Sequence, residues 1–222
     1  MNHVDGKFWI NRWENNQIGF HRDEPNYFLT KYFNQLQLVE NPKALVPLCG
    51  KSLDMLWLTE VGCQVVGCEL SNLACQQFYS ENYLEYTLTE TDKFVQYTGD
   101  DISIYCGDFF AVSSADLGQI DFCYDRGALV ALPRQLRINY AKKIAELLPS
   151  GSSYLLEIKT YQCNSEIGPP FSVSKNEVEE LFADSFSITF LEEQNEMIQP
   201  DSNIRAHGAI ELTNTACLLI RN

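Results

Sequence analysis

Basic residues are scarce in this sequence. Sixteen Lys and Arg face 30 Asp and Glu, a net charge of −14 over 222 residues. Nucleic-acid binders carry a basic patch or stripe. Here the densest pairings are Arg22 near Lys31 and Lys142-Lys143, so neither RNA nor DNA is an expected partner. Long apolar runs are also missing; none approaches the ~20 residues of a membrane span. The polar start, Met1 to Asp5, leads into no apolar stretch of the kind a signal peptide needs. Histidine is rare: His3, His21 and His207 are scattered. Eight cysteines, at 49, 63, 68, 75, 106, 123, 163 and 217, include no C-x-x-C pair. No zinc or other metal site is therefore expected. Without a secretory signal the thiols read as reduced, in a cytoplasmic protein. Repeats and low-complexity tracts are absent too. What remains is 45% hydrophobic and 12% aromatic, enough for a well-buried core in a single domain, residues 1–222.

The pattern along the chain alternates strand and helix. Residues 5–16, with Phe8, Trp9 and Trp13, and residues 25–36, with Pro25 in the first turn, read as two N-terminal helices. Residues 1–36 form a helical lid and 43–222 the sheet core. Ala44 to Leu48 reads as a first strand. Ser52 then caps a helix whose apolar face is Leu53, Leu56 and Trp57. Gln64 to Glu69 is a second strand, followed by a helix capped by Ser71 or Asn72. Residues 84–101 are polar, with a short hairpin near 94–97. Ile102 to Cys106 and Ile120 to Asp125 are strands three and four. A helix over 134–148 presents Leu136, Tyr140, Ile144, Leu147 and Leu148. Ser153 to Ile158 is a fifth strand, and two hairpin-like strands near 185–192 and 215–221 close the chain. Short crossovers between parallel strands imply a doubly wound α/β sheet. Five βα units and a final β-pair match the class I methyltransferase layout. That layout is a Rossmann-like three-layer sandwich with a mostly parallel seven-stranded sheet and an antiparallel C-terminal strand.

Ligands of such sheets bind at the carboxyl ends of the strands. Strand one ends at Leu48-Cys49-Gly50. A glycine there permits close backbone approach to a ligand, or simply a tight turn; the sequence has no G-x-G-x-x-G. Strand two ends at Glu69, about where a nucleotide-binding sheet places the acid that holds the ribose hydroxyls. Its plainer reading is a solvated strand-end acid. Strand three runs into Gly107-Asp108-Phe109-Phe110. Asp108 could accept from an adenine amino group and Phe109 stack on the ring, or the phenylalanines belong to the core. Strand four ends at Asp125-Arg126-Gly127. Arg126 faces a reaction centre, or pairs with Asp125. Trp9 and Trp13 belong either to the core or to a lid over a cofactor.

Together these residues resemble the thiopurine S-methyltransferase family. The matching segments are Phe8-Trp9 with Trp13, Ile18-Gly19-Phe20-His21, Val46-Pro47-Leu48-Cys49-Gly50-Lys51-Ser52, Val65 to Ser71, Gly107 to Phe110, Tyr124 to Leu129 and Gly168-Pro169-Pro170-Phe171. They follow the family's order over about residues 8 to 172. The resemblance implies S-adenosylmethionine as cofactor, held by Trp13, Leu48, Glu69 and Arg126. It makes Trp9 and Phe20 a lid over cofactor and acceptor, and puts Asp108 and Phe109 at the adenine end. Gly50 joins the cofactor set from its own position. Arg126 is the expected catalytic residue and also lies near the acceptor sulfur. The match departs after about residue 190. Asn203 falls where the family has an acceptor-side Arg, and Arg205 stands two residues away as its replacement.

The function implied is methyl transfer from S-adenosylmethionine to the sulfur of an aromatic or heterocyclic thiol, by in-line displacement, in a monomer with a small-molecule acceptor. Bacterial relatives extend this to selenium and tellurium compounds. Two alternatives stay open: another small acceptor on the same fold, or a non-catalytic S-adenosylmethionine-binding module. A nicotinamide reductase lacks its glycine fingerprint here. An N-methyltransferase of nucleic acid would carry Asn-Pro-Pro-Tyr after strand four, where this chain has Asp125-Arg126-Gly127-Ala128.

Overall fold

The structure, a computed structural model, describes residues 4–163, 167–199 and 202–222. His3 and the Pro200-Asp201 step of the departing stretch lie outside the described residues. The chain divides into two compact units, Met1–Tyr124 and Asp125–Asn222.

The first unit begins with α1 (Gly6–Glu14), started by Asp5, whose carboxylate accepts from the Phe8 amide at 3.0 Å. Helix α2 is shorter than expected, Tyr27–Tyr32, before one 3₁₀ turn over Phe33–Gln35. Its cap is Asn26, which accepts from the amides of Phe28 and Leu29, so Pro25 precedes the helix instead of opening it. Strands β1 (Lys43–Pro47), β2 (Gln64–Glu69) and β5 (Ile102–Cys106) are parallel, joined through α3 (Asp54–Glu60) and α4 (Asn72–Glu81). Between α4 and β5 lies an antiparallel hairpin, β3 (Thr87–Glu90) and β4 (Val95–Thr98). A short α5 (Ser114–Leu117) precedes β6 (Phe122–Arg126), which pairs with β1 on its other side. The order β3-β4-β5-β2-β1-β6 puts the switch point between β1 and β6: the chain runs from β1 to β2 and β5 on one side and returns to β6 on the other.

The expected apolar face of α3 is corrected. Asp54, Met55 and Leu58 are its buried residues, not Leu53, Leu56 and Trp57. A carboxylate enters this core because both of its oxygens are hydrogen-bonded. Asp54 accepts from the Asn26 amide at 2.7 Å, the Ser52 hydroxyl at 3.0 Å and the Tyr124 hydroxyl at 3.0 Å. Hydrogen bonds offset the desolvation that burial imposes.

The second unit holds α6 (Arg134–Leu147), β7 (Ser153–Thr160), α7 (Lys175–Phe182), β8 (Phe186–Met197), α8 (Asn203–Ala206) and β9 (Glu211–Arg221). Strand β9 runs antiparallel to both β7 and β8. Strand β8 reaches five residues past its expected end because β9 offers partners as far as Glu211, with one irregularity between Phe190 and Glu192. The buried stripe of α6 is Arg137, Tyr140, Ala141, Ile144 and Leu147. Arg137, in place of the expected Leu136, is held by Glu177 at 2.8 Å and the Leu132 carbonyl at 2.9 Å. Nine strands thus stand among the described residues, the expected seven plus the β3-β4 hairpin.

Candidate active site

In the first unit the site is built on the loops after β1 and β2. The chain leaves β1 through Leu48 at φ 45° and Gly50 at φ 54°, both left-handed. For leucine that conformation is uncommon and costs strain, and such outliers gather at ligand-binding loops. The Cys49 amide between them donates to the Cys68 carbonyl at 3.0 Å, fixing the loop on β2. A Cβ on Gly50 would lie 3.0 Å from the ring of Trp13, so the indole rests directly on this turn. The glycine is needed twice, for its φ and for the contact.

Glu69 ends β2 and is buried. One carboxylate oxygen accepts from the Gly50 amide at 2.8 Å, the other from the Ser71 amide at 2.7 Å. It is therefore not the solvated strand-end acid of the plainer reading. It is a strut between the two loops. Burial raises its pKa, opposed by these amides and that of Leu70. A carboxylate offers about four acceptor sites, so the three amides do not exhaust it. Ser71 also caps α4, its hydroxyl accepting from Ala74; sequence reading found the cap but not the amide.

The aromatic cover is coherent within this unit. Phe20 packs edge-on against Trp13, centroids 5.5 Å apart, and against Trp9, at 5.6 Å. Trp13 is buried and Phe20 is 38% exposed. Gly6, at the start of α1, comes close to Leu70: a Cβ there would lie 2.9 Å from the leucine. The helix thus lies across both loops. Asp108 and Phe109 divide. Asp108 is exposed and caps a 3₁₀ turn over Phe109–Ala111 by accepting from the Phe110 amide at 3.0 Å. Phe109 is only 2% exposed, so most of its ring already meets protein. Arg12, which sequence reading did not single out, stacks over Phe8 at 5.6 Å and buries an Nε with no hydrogen-bond partner among the described residues.

In the second unit, Arg126 is half-buried at the end of β6. Among the described residues no hydrogen bond or ion pair reaches its guanidinium, and none joins it to Asp125. The carboxylate of Asp125, fully buried, is taken by the amides of Ala128 and Leu129 and the hydroxyls of Tyr140 and Tyr154. Arg205 lies on α8 and donates to the Ile210 carbonyl at 3.2 Å, closing its own turn.

Among the described residues no group of three or more His, Cys, Asp or Glu is placed to hold a metal, and no helix is long and apolar enough to cross a membrane. Seven of the eight cysteines are buried, and no disulfide links the described residues.

A family profile described as thiopurine S-methyltransferase matches residues 4–222. A thiopurine S-methyltransferase of Shewanella baltica is 44% identical over 214 residues, covering 96% of this chain and 97% of the relative. One of Pseudomonas fluorescens is 42% identical over 189 residues, 85% of this chain and 87% of the relative. Among solved structures, a SAM-dependent methyltransferase of Anabaena variabilis aligns with TM-score 0.67 at 14% identity, over 100% of this chain and 96% of that one. The 1,6-didemethyltoxoflavin N1-methyltransferase of Burkholderia thailandensis, solved with S-adenosylhomocysteine, aligns with TM-score 0.59 at 15% identity, over 96% and 87%. At these identities the structural likeness speaks for the class I methyltransferase fold.

Proposed function

Because the chain belongs to the thiopurine S-methyltransferase family, and is thereby an S-adenosylmethionine-dependent methyltransferase, we propose that it methylates the sulfur of small aromatic or heterocyclic thiols. One observation carries the cofactor half of this reading. Glu69, at the carboxyl end of β2, is fixed by backbone amides on both oxygens that do not exhaust its acceptor capacity. That arrangement suits a vicinal diol such as a ribose. The left-handed turn at Leu48 and Gly50 lets the backbone approach the nucleoside, and Trp13, Trp9 and Phe20 would cover it. Asp108 and Phe109 complete the adenine end, Phe109 with little free ring surface. No metal enters the proposed chemistry.

When bound, S-adenosylmethionine supplies a methyl group already activated by its sulfonium charge. The residues have two tasks. The aromatic cover excludes water and fixes the line of approach; orientation of this kind lowers a barrier by ~7–11 kcal/mol. Arg126, with no protein counter-ion among the described residues, favours an acceptor in its thiolate form by opposite charge. The thiol proton leaves to solvent before transfer, so no strong side-chain base is required. Transfer of that methyl to the sulfur would give a thioether on the acceptor and release S-adenosylhomocysteine. Arg205 is proposed on the acceptor side with the donors that Ile210 does not use. Selenium and tellurium nucleophiles meet the same requirements. The buried thiols support a reducing, cytoplasmic setting.

The test is transfer of a labelled methyl from S-adenosylmethionine to a thiopurine, with a simple aromatic thiol alongside. Label on sulfur is the expected result. Tight cofactor binding without transfer to either thiol would refute the acceptor, and absence of cofactor binding would refute the site.

A further inference from the structure

Among the described residues the Arg126 side chain has no hydrogen-bond or ion-pair partner, yet the backbone on both sides of it is fixed. The next residue, Gly127, turns the chain at φ 100°. The following 3₁₀ turn, Leu129–Ala131, is wholly buried. Before it stands Asp125. One carboxylate oxygen, Oδ1, accepts from the Ala128 amide at 2.9 Å and the Leu129 amide at 3.3 Å, closing the chain back on itself around Arg126 and Gly127. The other, Oδ2, accepts from the Tyr140 hydroxyl at 2.6 Å and the Tyr154 hydroxyl at 3.0 Å. A turn of this shape needs no buried charge; exposed Asp and Asn close such turns routinely. Here the carboxylate is 0% exposed, and both tyrosines are fully buried. Burial pushes its pKa up to about 6, against the four donors that favour the charge. Burying an anion is costly unless every acceptor site is used. An anion so placed ties three elements to one point: the end of β6, helix α6 through Tyr140 and strand β7 through Tyr154.

We propose that Asp125, with the hydroxyls of Tyr140 and Tyr154, is the positioning device for Arg126, holding the tip of this loop so that the guanidinium meets the acceptor's sulfur in one fixed place. The inference rests on the acceptor role of Arg126 given above. It assigns the tyrosines no contact with substrate. They act through Asp125 on the backbone that carries Arg126.

A double-mutant cycle tests it, since groups that act through one another are not additive. The variants are Tyr140→Phe and Tyr154→Phe, which keep the rings, each made in the wild type and in Arg126→Lys. Two signals are read well below the unfolding temperature. One is kcat for methyl transfer to a thiopurine. The other is the ultraviolet spectrum of a thiopurine bound beside S-adenosylhomocysteine, which reports the thiolate fraction without turnover. In the wild type, Tyr140→Phe should lower kcat roughly tenfold, the lower end of what a hydrogen bond to a charged group contributes. It should also reduce the bound thiolate fraction. In Arg126→Lys it should change neither signal by more than about twofold, and Tyr154→Phe should behave alike. Equal losses in both backgrounds would overturn the proposal, because a merely structural hydroxyl acts independently of Arg126. If Arg126→Lys alone leaves both signals at wild-type values, the role of Arg126 falls, and this inference with it.

Discussion

Replacing Glu69 by Gln changes one atom and should separate the two roles of that side chain. In the native site both oxygens accept from amides, Gly50 at 2.8 Å and Ser71 at 2.7 Å. Glutamine has one oxygen, so one of the two amides must face an NH2 group instead. A buried donor left unsatisfied costs about 1–3 kcal/mol. Removing a charge whose pKa is already raised by burial returns part of that. A net loss of about 1–2 kcal/mol corresponds to a Tm lower by roughly 2–8 °C for a chain of this size. The cofactor loses more selectively. One ribose hydroxyl would exchange a charged acceptor, worth about 1.5–3 kcal/mol, for an amide donor, so Kd for S-adenosylmethionine should rise about 10–100-fold. Thermal unfolding without ligand gives the first number and isothermal titration the second. A variant that binds within twofold of wild type would refute the ribose assignment. One that binds weakly but melts at the wild-type temperature would refute the strut.

Other outcomes follow from the same geometry. Gly50→Ala forces a side chain into a left-handed position, ~1–2 kcal/mol, with its Cβ 3.0 Å from Trp13; tryptophan fluorescence should report a displaced indole, and an unshifted spectrum would count against the contact. Arg137→Ala leaves Glu177 charged and nearly buried without its 2.8 Å partner, so urea unfolding should show a loss of about 3–5 kcal/mol; a loss below 1 kcal/mol would mean solvent already reaches the pair. For Asp125 the sign runs with the raised pKa, about 6 when folded. The folded state holds its proton longer than the unfolded chain, so the contribution of Asp125 to stability is full below about pH 4 and lost as pH rises through 6. Relative to Asp125→Asn, the wild type should lose about 3 kcal/mol over that window; a constant difference would contradict the buried anion.

The parts of this molecule that were legible from sequence are those whose cause is local. The ends of β1, β2 and β5, the glycine turn and the acid at Glu69 could be placed to within a residue, because a short apolar run and its terminating residue lie next to each other. What stayed hidden depends on partners far along the chain. Asp54 was not singled out in the sequence; it is buried where Asn26 and Tyr124, 28 and 70 residues away, donate to it. The same holds for Arg137, whose Glu177 partner lies 40 residues on, and for Asp125, which looked like a counter-ion for Arg126 until Tyr140 and Tyr154 claimed it. Leu48 was legible as the end of the first strand, but nothing in leucine's preferences announces its left-handed backbone. The hairpin of β3 and β4 was faint because all four β3 residues are exposed and carry no apolar alternation.

The contacts of α1 also set an order of assembly. A helix of nine residues is marginal by itself in water, and the surfaces it leans on, Gly50 and Leu70, belong to segments synthesised after it. During translation the stretch from Gly6 to Glu14 emerges before them and cannot dock there until β2 and the turn beyond it have formed. Its indoles must then stay unsheltered for the time it takes to make some sixty further residues, a few seconds at ribosomal speed. This helix is thus made before the two loops it covers and can dock only after both.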